Sequence, residues 1–190
     1  YTGAVISWLK DDMELIQSPS ETEGLCRVAE ADDSLYFVPA FTGLGAPYWN
    51  SEAKGALTGI TRTTRKAEMV RAGVECIAYQ IADVVNAMSQ DANTEIQELR
   101  VDGGPTRNQY LMQFQSDILN RKVLVPDAEE LSGIGAAYAA GRGLGLYGDE
   151  VFTRLKRREY APKMCEDTRV RKYNGWNCLL YTSPSPRDRG

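Results

Sequence analysis

The chain has no histidine. That absence removes the Ser-His-Asp triad, the Cys-His nucleophile pair and every histidine-ligated zinc centre. Cysteine is sparse: Cys26, Cys76, Cys165 and Cys178 lie far apart with no CxxC spacing. Neither a zinc knuckle nor a thioredoxin-like motif is present, and reduced structural thiols are expected. No apolar run approaches the roughly 18 to 20 residues that cross a bilayer, and no basic segment followed by an apolar one stands at the N-terminus. A soluble cytoplasmic protein with no membrane span is expected. Positive charge is not in excess either. Lys and Arg number 22 against 26 Asp and Glu, a net charge of −4, so nucleic acid is not an expected partner. What the 190 residues do hold is apolar matter, 43% of the sequence, enough for one sizeable core.

The chemistry gathers in Arg100 to Leu119, RVDGGPTRNQYLMQFQSDIL. Leu99 to Val101 read as the end of a buried strand, with Asp102 where it leaves the core. Gly103 and Gly104 allow backbone angles closed to other residues and leave no side chain to block a ligand. Pro105 ends the turn, and Thr106 with Gln109 has the capping-box spacing, which predicts a helix from about Arg107 with Asn108 in its first turn. The open N–H groups of such a helix start suit a phosphate or another anion. Two readings stand: a ligand turn, and an ordinary strand, turn and helix.

Around this segment the order of elements is that of an α/β domain. Tyr1 to Asp12 carries Val5, Ile6, Trp8 and Leu9 on a helical spacing with no preceding cap, which suggests an N-terminal truncation. Gln17 to Asp33 reads as a polar surface connector with room for a short helix. Leu35 to Phe41 is a strand that empties into Thr42 to Trp49, a glycine- and aromatic-rich loop that either packs over a tight turn or lines a cleft. Gly55 to Ile60 is a second strand. Lys66 to Met88 is a long amphipathic helix capped by Thr64, with Val70, Val74, Ile77, Ile81, Val84, Val85 and Met88 as its core stripe. Past Leu111, Phe114, Gln115 and Ile118 on the next helix, Lys122 to Val125 is a strand closed by Pro126, and Ser132 to Gly143 is a helix of small residues. Alternating strands and helices predict a largely parallel sheet.

Gly143 to Gly148 matches GxGxxG, but it trails a helix where the dinucleotide fingerprint needs a strand, so it reads as a glycine helix stop. The basic run Thr153 to Arg158 reads as a solvated face, with partner docking as the alternative. Asn177 to Gly190 has no periodicity and ends in a Ser-Pro repeat, so a disordered or artefactual tail is expected there.

Several segments, in order, resemble one family. Val38-Pro39-Ala40-Phe41-Thr42-Gly43-Leu44-Gly45-Ala46-Pro47-Tyr48-Trp49 is similar to the loop that sets glycerol kinases apart within the FGGY carbohydrate kinases. Gly55 to Ile60 followed by Glu68-Met69-x-x-Ala72-Gly73-Val74-Glu75 resembles that family's second signature, with Gly73 as a departure. Asp102-Gly103-Gly104, Asn108 and Leu111-Met112-Gln113 resemble its nucleotide loop, Leu131 to Gly141 its alanine-rich helix, and Tyr173-x-Gly175-Trp176 its closing motif.

The resemblance covers Gly3 to Trp176 and implies an actin-like ATPase, ribonuclease-H-like fold, with residues 1–176 as the C-terminal domain of a two-domain kinase and 177–190 outside it. The implied reaction moves the ATP γ-phosphoryl to glycerol, giving glycerol 3-phosphate, with Mg²⁺; another polyol or sugar is the alternative substrate. By resemblance Gly3, Gly103, Gly104 and Asn108 contact ATP, while Ser7 stands where bacterial relatives often carry Gln. The aspartate base, the polyol clamp and the phosphate loop belong to an N-terminal half that these residues do not contain, so no residue here is assigned as catalytic or as a metal ligand. The isolated chain is expected to be inactive. Family members often form dimers or tetramers, although no residue pattern here points to assembly. A non-catalytic actin-like module is the reading of different class, and the presence or absence of that N-terminal half separates the two.

Overall fold

A computed structural model of the chain describes residues 2–30, 34–127, 131–146, 148 and 156–182. It opens with α1, Thr2–Ser7, which widens into a π-helical turn at Trp8–Asp12 and buries Val5 and Leu9. The polar stretch that follows is more than a connector. Helix α2, Glu21–Val28, buries Thr22 and Cys26 and packs on the helices at residues 66–91 and 109–119. Its start is braced from the preceding turn, where the Glu21 carboxylate accepts the Ser18 N–H at 3.0 Å.

Strands β1, Tyr36–Val38, and β2, Ala56–Thr58, form an antiparallel pair with Tyr36 opposite Thr58. Helix α3, Lys66–Asp91, is the spine. Its cap is Arg65 rather than Thr64. The Arg65 N–H donates to Glu68 at 2.8 Å, whereas the Thr64 hydroxyl accepts the Thr61 N–H at 2.9 Å and closes the preceding turn. The expected stripe is correct at Val70, Val74, Ile77 and Val85, but Val84 and Met88 face outward, 37% and 56% exposed. The first half of α3 is buried nearly all round because α1, α2 and α4 surround it. Gly73 has a packing role there: a Cβ on it would lie 2.8 Å from Leu9 Cδ1, so the glycine lets the N-terminal segment close on α3.

A βαβ unit follows: β3, Glu98–Arg100, a 3-10 turn at Gly104–Arg107, α4, Gln109–Leu119, and β4, Lys122–Pro126. β3 and β4 pair in parallel, with Leu99 opposite Val123. The expected helix residues Leu111, Phe114, Gln115 and Ile118 are all buried. Helix α5, Leu131–Gly143, ends in a glycine stop as expected. Gly145 has φ 72°, its N–H reaches Arg142 O and the Leu146 N–H reaches Gly141 O, the double closure of a left-handed helix end; Tyr147 of that motif lies outside the described residues.

The largely parallel sheet is a correction. β5, Arg157–Tyr160, adds antiparallel to β4 with Val123 opposite Tyr160, so the three-stranded sheet is mixed. Residues 153–155 of the basic run lie outside the described residues, while its Arg157 and Arg158 start β5, paired by backbone and therefore invisible to side-chain alternation. Helix α6, Glu166–Thr182, crosses the boundary expected after Trp176. Leu180 is buried beside Trp176 in the core, which carries the helix onward; residues 183–190 lie outside the described residues.

Candidate functional site

The segment after β3 leaves the sheet through Gly103, whose φ of 98° and ψ of 174° suit glycine alone among the common residues. The chain then makes the 3-10 turn, with the Thr106 hydroxyl donating to Gly103 O at 2.7 Å. Thr106 is therefore engaged one turn too early to cap α4. The cap is Asn108, whose side-chain oxygen accepts the Leu111 N–H at 2.9 Å, and the helix begins at Gln109 rather than Arg107. Three further bonds brace this start. Asn108 Nδ2 donates to the Thr22 hydroxyl at 3.0 Å, the Gln109 N–H donates to Glu23 at 3.0 Å, and the Tyr110 hydroxyl donates to buried Glu75 at 2.6 Å.

Beside that start lies a cavity of about 630 Å³. Gly3, Ile6 and Ser7 of α1 form one wall, Ser18, Pro19, Ser20, Thr22 and Glu23 a second, Val74 of α3 and Leu111 of α4 the floor, and Gly104, Pro105, Arg107 and Asn108 the third wall. The structure thus brings Gly3, Gly104 and Asn108 together across 105 residues of sequence, with Ser7 beside them. Gly103 is not among the lining residues and shapes the turn instead. A Cβ at Gly3 or Gly104 would meet nothing within 4 Å, so both glycines border open space.

The electrostatics differ from the anion site expected at the helix start. The Gln109 and Leu111 N–H groups are already taken by Glu23 and Asn108. Arg27, bonded to Glu23 at 2.8 Å, holds that carboxyl below the usual range, the Gln109 N–H adds to this, and partial desolvation opposes it. An ionised carboxylate at the helix start disfavours a phosphate there. Apolar walls from Ile6, Val74, Leu111 and Pro105 with a hydroxyl- and amide-bearing rim suit a planar base and a sugar better. The lining residues of α2 were missed because that stretch was read by its polarity.

Further cavities are distinguishable among the described residues. One of about 310 Å³ lies under the Leu44 to Tyr48 loop, against Ile77, Val85, Asp83 and Trp176. The loop therefore does line a cavity, while Phe41 and Trp49 stay 40% and 80% exposed. Burial raises the Asp83 carboxyl above its usual range although Tyr173 and Trp176 donate to it at 2.7 and 2.8 Å. Another, about 840 Å³, is lined by Arg71, Glu75, Tyr110 and Lys172 among others. Its charges answer one another: Lys172 lies 3.3 Å from Glu75, and Arg71 donates to the carbonyls of Ala29 and Glu30. Among the described residues no group of three or more Cys, Asp or Glu side chains is placed to hold a metal, and no helix is long and apolar enough to cross a membrane.

Residues 1–144 match the C-terminal domain of the FGGY family of carbohydrate kinases. The glycerol kinase of Thermococcus kodakarensis is 49% identical over 178 residues, covering 92% of this chain and 35% of that protein. That of Staphylococcus epidermidis is 44% identical over 178 residues, covering 92% of this chain and 36% of that protein. The chain thus spans about a third of the length of these relatives. A crystal structure of Plasmodium falciparum glycerol kinase with ADP superimposes with a TM-score of 0.87 at 34% identity over 97% of this chain and 37% of that one. A xylulose kinase from Rhodospirillum rubrum gives 0.76 at 25% identity, covering 95% and 38%.

Proposed function

The chain belongs to the FGGY family of carbohydrate kinases, with the actin-like ATPase fold of its C-terminal domain, and on that premise we propose that it supplies the nucleotide-binding half of an ATP-dependent glycerol kinase. The observation that carries the reading is the cavity that joins Gly3, Gly104 and Asn108. ATP binds with its base and ribose between the apolar floor and the Ser18 to Glu23 wall. Its phosphates would lie on the Gly104 side of the cavity, away from the Glu23 carboxylate. Gly103 sets the turn that keeps Gly104 bare, and Asn108 offers its remaining amide hydrogen and lone pair to the nucleoside.

Phosphoryl transfer depends on in-line positioning and charge neutralisation, and this half contributes positioning. Mg²⁺ would supply charge neutralisation at the triphosphate, and no residue of this chain is assigned to hold it. The acid-base group and the polyol clamp fall to the N-terminal half of the kinase, so the isolated chain transfers no phosphoryl group. On this reading the domain takes in α6 at least as far as Leu180, past the expected boundary at residue 176. The cytoplasm is its compartment, in keeping with four free cysteines. Glycerol is preferred over other polyols because the Phe41 to Trp49 loop has the glycerol-kinase pattern and because glycerol kinases are matched at 44 and 49% identity.

The test is to extend the reading frame upstream in the source gene, express the longer protein and follow ADP release with glycerol, xylulose and gluconate. Release with glycerol alone is expected. Equal release with the three, or an upstream frame that encodes no kinase half, would overturn the assignment.

A further inference from the structure

Two side chains of α2 act behind the nucleotide loop. The Thr22 hydroxyl has one hydrogen, and it donates this to Pro19 O at 2.6 Å. Its lone pairs are then left to accept Asn108 Nδ2 at 3.0 Å, which fixes the orientation of the amide: nitrogen toward Thr22, oxygen toward the Leu111 N–H at 2.9 Å. Thr22 is 2% exposed, so water does not compete for this bond. One residue on, a Glu23 carboxylate oxygen accepts the Gln109 N–H at 3.0 Å, while Arg27 holds the other oxygen at 2.8 Å. Residues 22 and 23 therefore grip residues 108 and 109 in step, both pairs 86 apart in sequence.

We propose that Thr22 and Glu23 are positioning residues that set Asn108 and the neighbouring Gly104 for nucleotide binding by locking the start of α4 to the start of α2. The proposal rests on the nucleotide reading of this cavity. Without the lock the Asn108 amide is held by the Leu111 N–H alone, so its nitrogen loses the bond that keeps the side chain seated against α2. The 3-10 turn that carries Gly104 would then keep its internal Thr106 hydroxyl bond to Gly103 O but lose its brace to α2. The α2 segment thus sets nucleotide affinity through the loop it holds, in addition to bordering the cavity.

The experiment measures ADP affinity of the longer protein expressed from the extended reading frame by calorimetry, well below its melting temperature. Variants are Thr22→Val, Thr22→Ser, Glu23→Leu and Glu23→Gln, with amide hydrogen exchange at Gln109 and Leu111 recorded in parallel. Thr22→Val and Glu23→Leu are each expected to weaken ADP binding about tenfold at most, the range of one net hydrogen bond. Thr22→Ser, which keeps the hydroxyl, is expected to restore binding to within about twofold, and Glu23→Gln to recover part of the loss through its remaining acceptor oxygen. Faster exchange at Gln109 and Leu111 with unchanged ADP affinity would show a purely structural brace and overturn the proposal. Absence of ADP binding by the unaltered longer protein would overturn the nucleotide reading, and the proposal with it. Glu23 is half-buried at the edge of α2, so its variants decide the matter even where Thr22→Val does not fold.

Discussion

Replacing Asn108 by alanine removes two bonds that can be weighed separately. The first is the cap on Leu111 N, whose loss costs about 1 kcal/mol. The second is the bond to the Thr22 hydroxyl, worth about 1 kcal/mol net. Thr22 keeps Pro19 O as acceptor, so its own hydroxyl hydrogen is not stranded. Together the loss is about 2 kcal/mol, and at this size each kcal/mol moves the melting midpoint by about 2 to 4 °C, giving a fall of about 4 to 8 °C. Circular dichroism melting reads this directly. A double-mutant cycle with Thr22→Val isolates the shared bond: the two losses should be sub-additive by about 1 kcal/mol. Additivity within about 0.3 kcal/mol would refute the Asn108–Thr22 bond, and an unchanged midpoint in Asn108→Ala would refute the cap as well.

Filling the cavity should separate binding from folding: Gly104→Leu, whose side chain meets no protein atom near its Cβ, is expected to abolish ADP binding in calorimetry while the melting midpoint stays within about 2 °C. Gly175→Ala should be destabilising by about 1 to 3 kcal/mol in denaturant melts, because its Cβ would press on the Tyr36 hydroxyl and lie 2.7 Å from Cζ, displacing the bond from that hydroxyl to Lys172 O. For pH, two groups act oppositely. The lowered Glu23 carboxyl contributes stability above its unfolded value of 4.5 that is lost as pH falls through its lower folded value, so Glu23→Gln should flatten the acid limb of a melting-versus-pH curve. The raised Asp83 carboxyl favours folding at pH below its unfolded value of 3.8, and that contribution is lost as pH rises through its higher folded value, so Asp83→Asn should remove a decline in midpoint on that rise.

The parts that were legible in the sequence are those where local chemistry and tertiary packing agree. Val70, Val74 and Ile77 recur on one helical face and are buried, and the Gly103-Gly104 pair marks a turn whose first residue has φ 98°. Gly145 ends α5 as its pattern predicts. Errors arose where two local signals competed or where burial followed from partners. Thr106 and Asn108 are both plausible caps; the 3-10 turn after Pro105 took the Thr106 hydroxyl, and the longer Asn108 side chain reached Leu111. Helix α2 looks like a polar connector because only Thr22 and Cys26 face inward, yet it builds one wall of the candidate site. β5 is exposed on most of its length and charged, so its place on the sheet follows from backbone pairing with β4 and from the Ser116 hydroxyl, which donates to Tyr160 O at 2.9 Å. The site glycines carried the resemblance, whereas the residues that hold the loop were long-range and had no signature.

The central claim is that nucleotide occupies the cavity between Gly3, Gly104 and Asn108. It is tested most directly by titrating the ¹⁵N-labelled chain with ADP and mapping the amide shifts. The account expects saturable shifts at Gly3, Ser20, Glu23, Gly104 and Asn108, with Arg71 and Lys172 unmoved. Shifts confined to the Arg71, Glu75 and Lys172 cavity, or none on the Gly104 and Asn108 wall at saturating ADP, would contradict it.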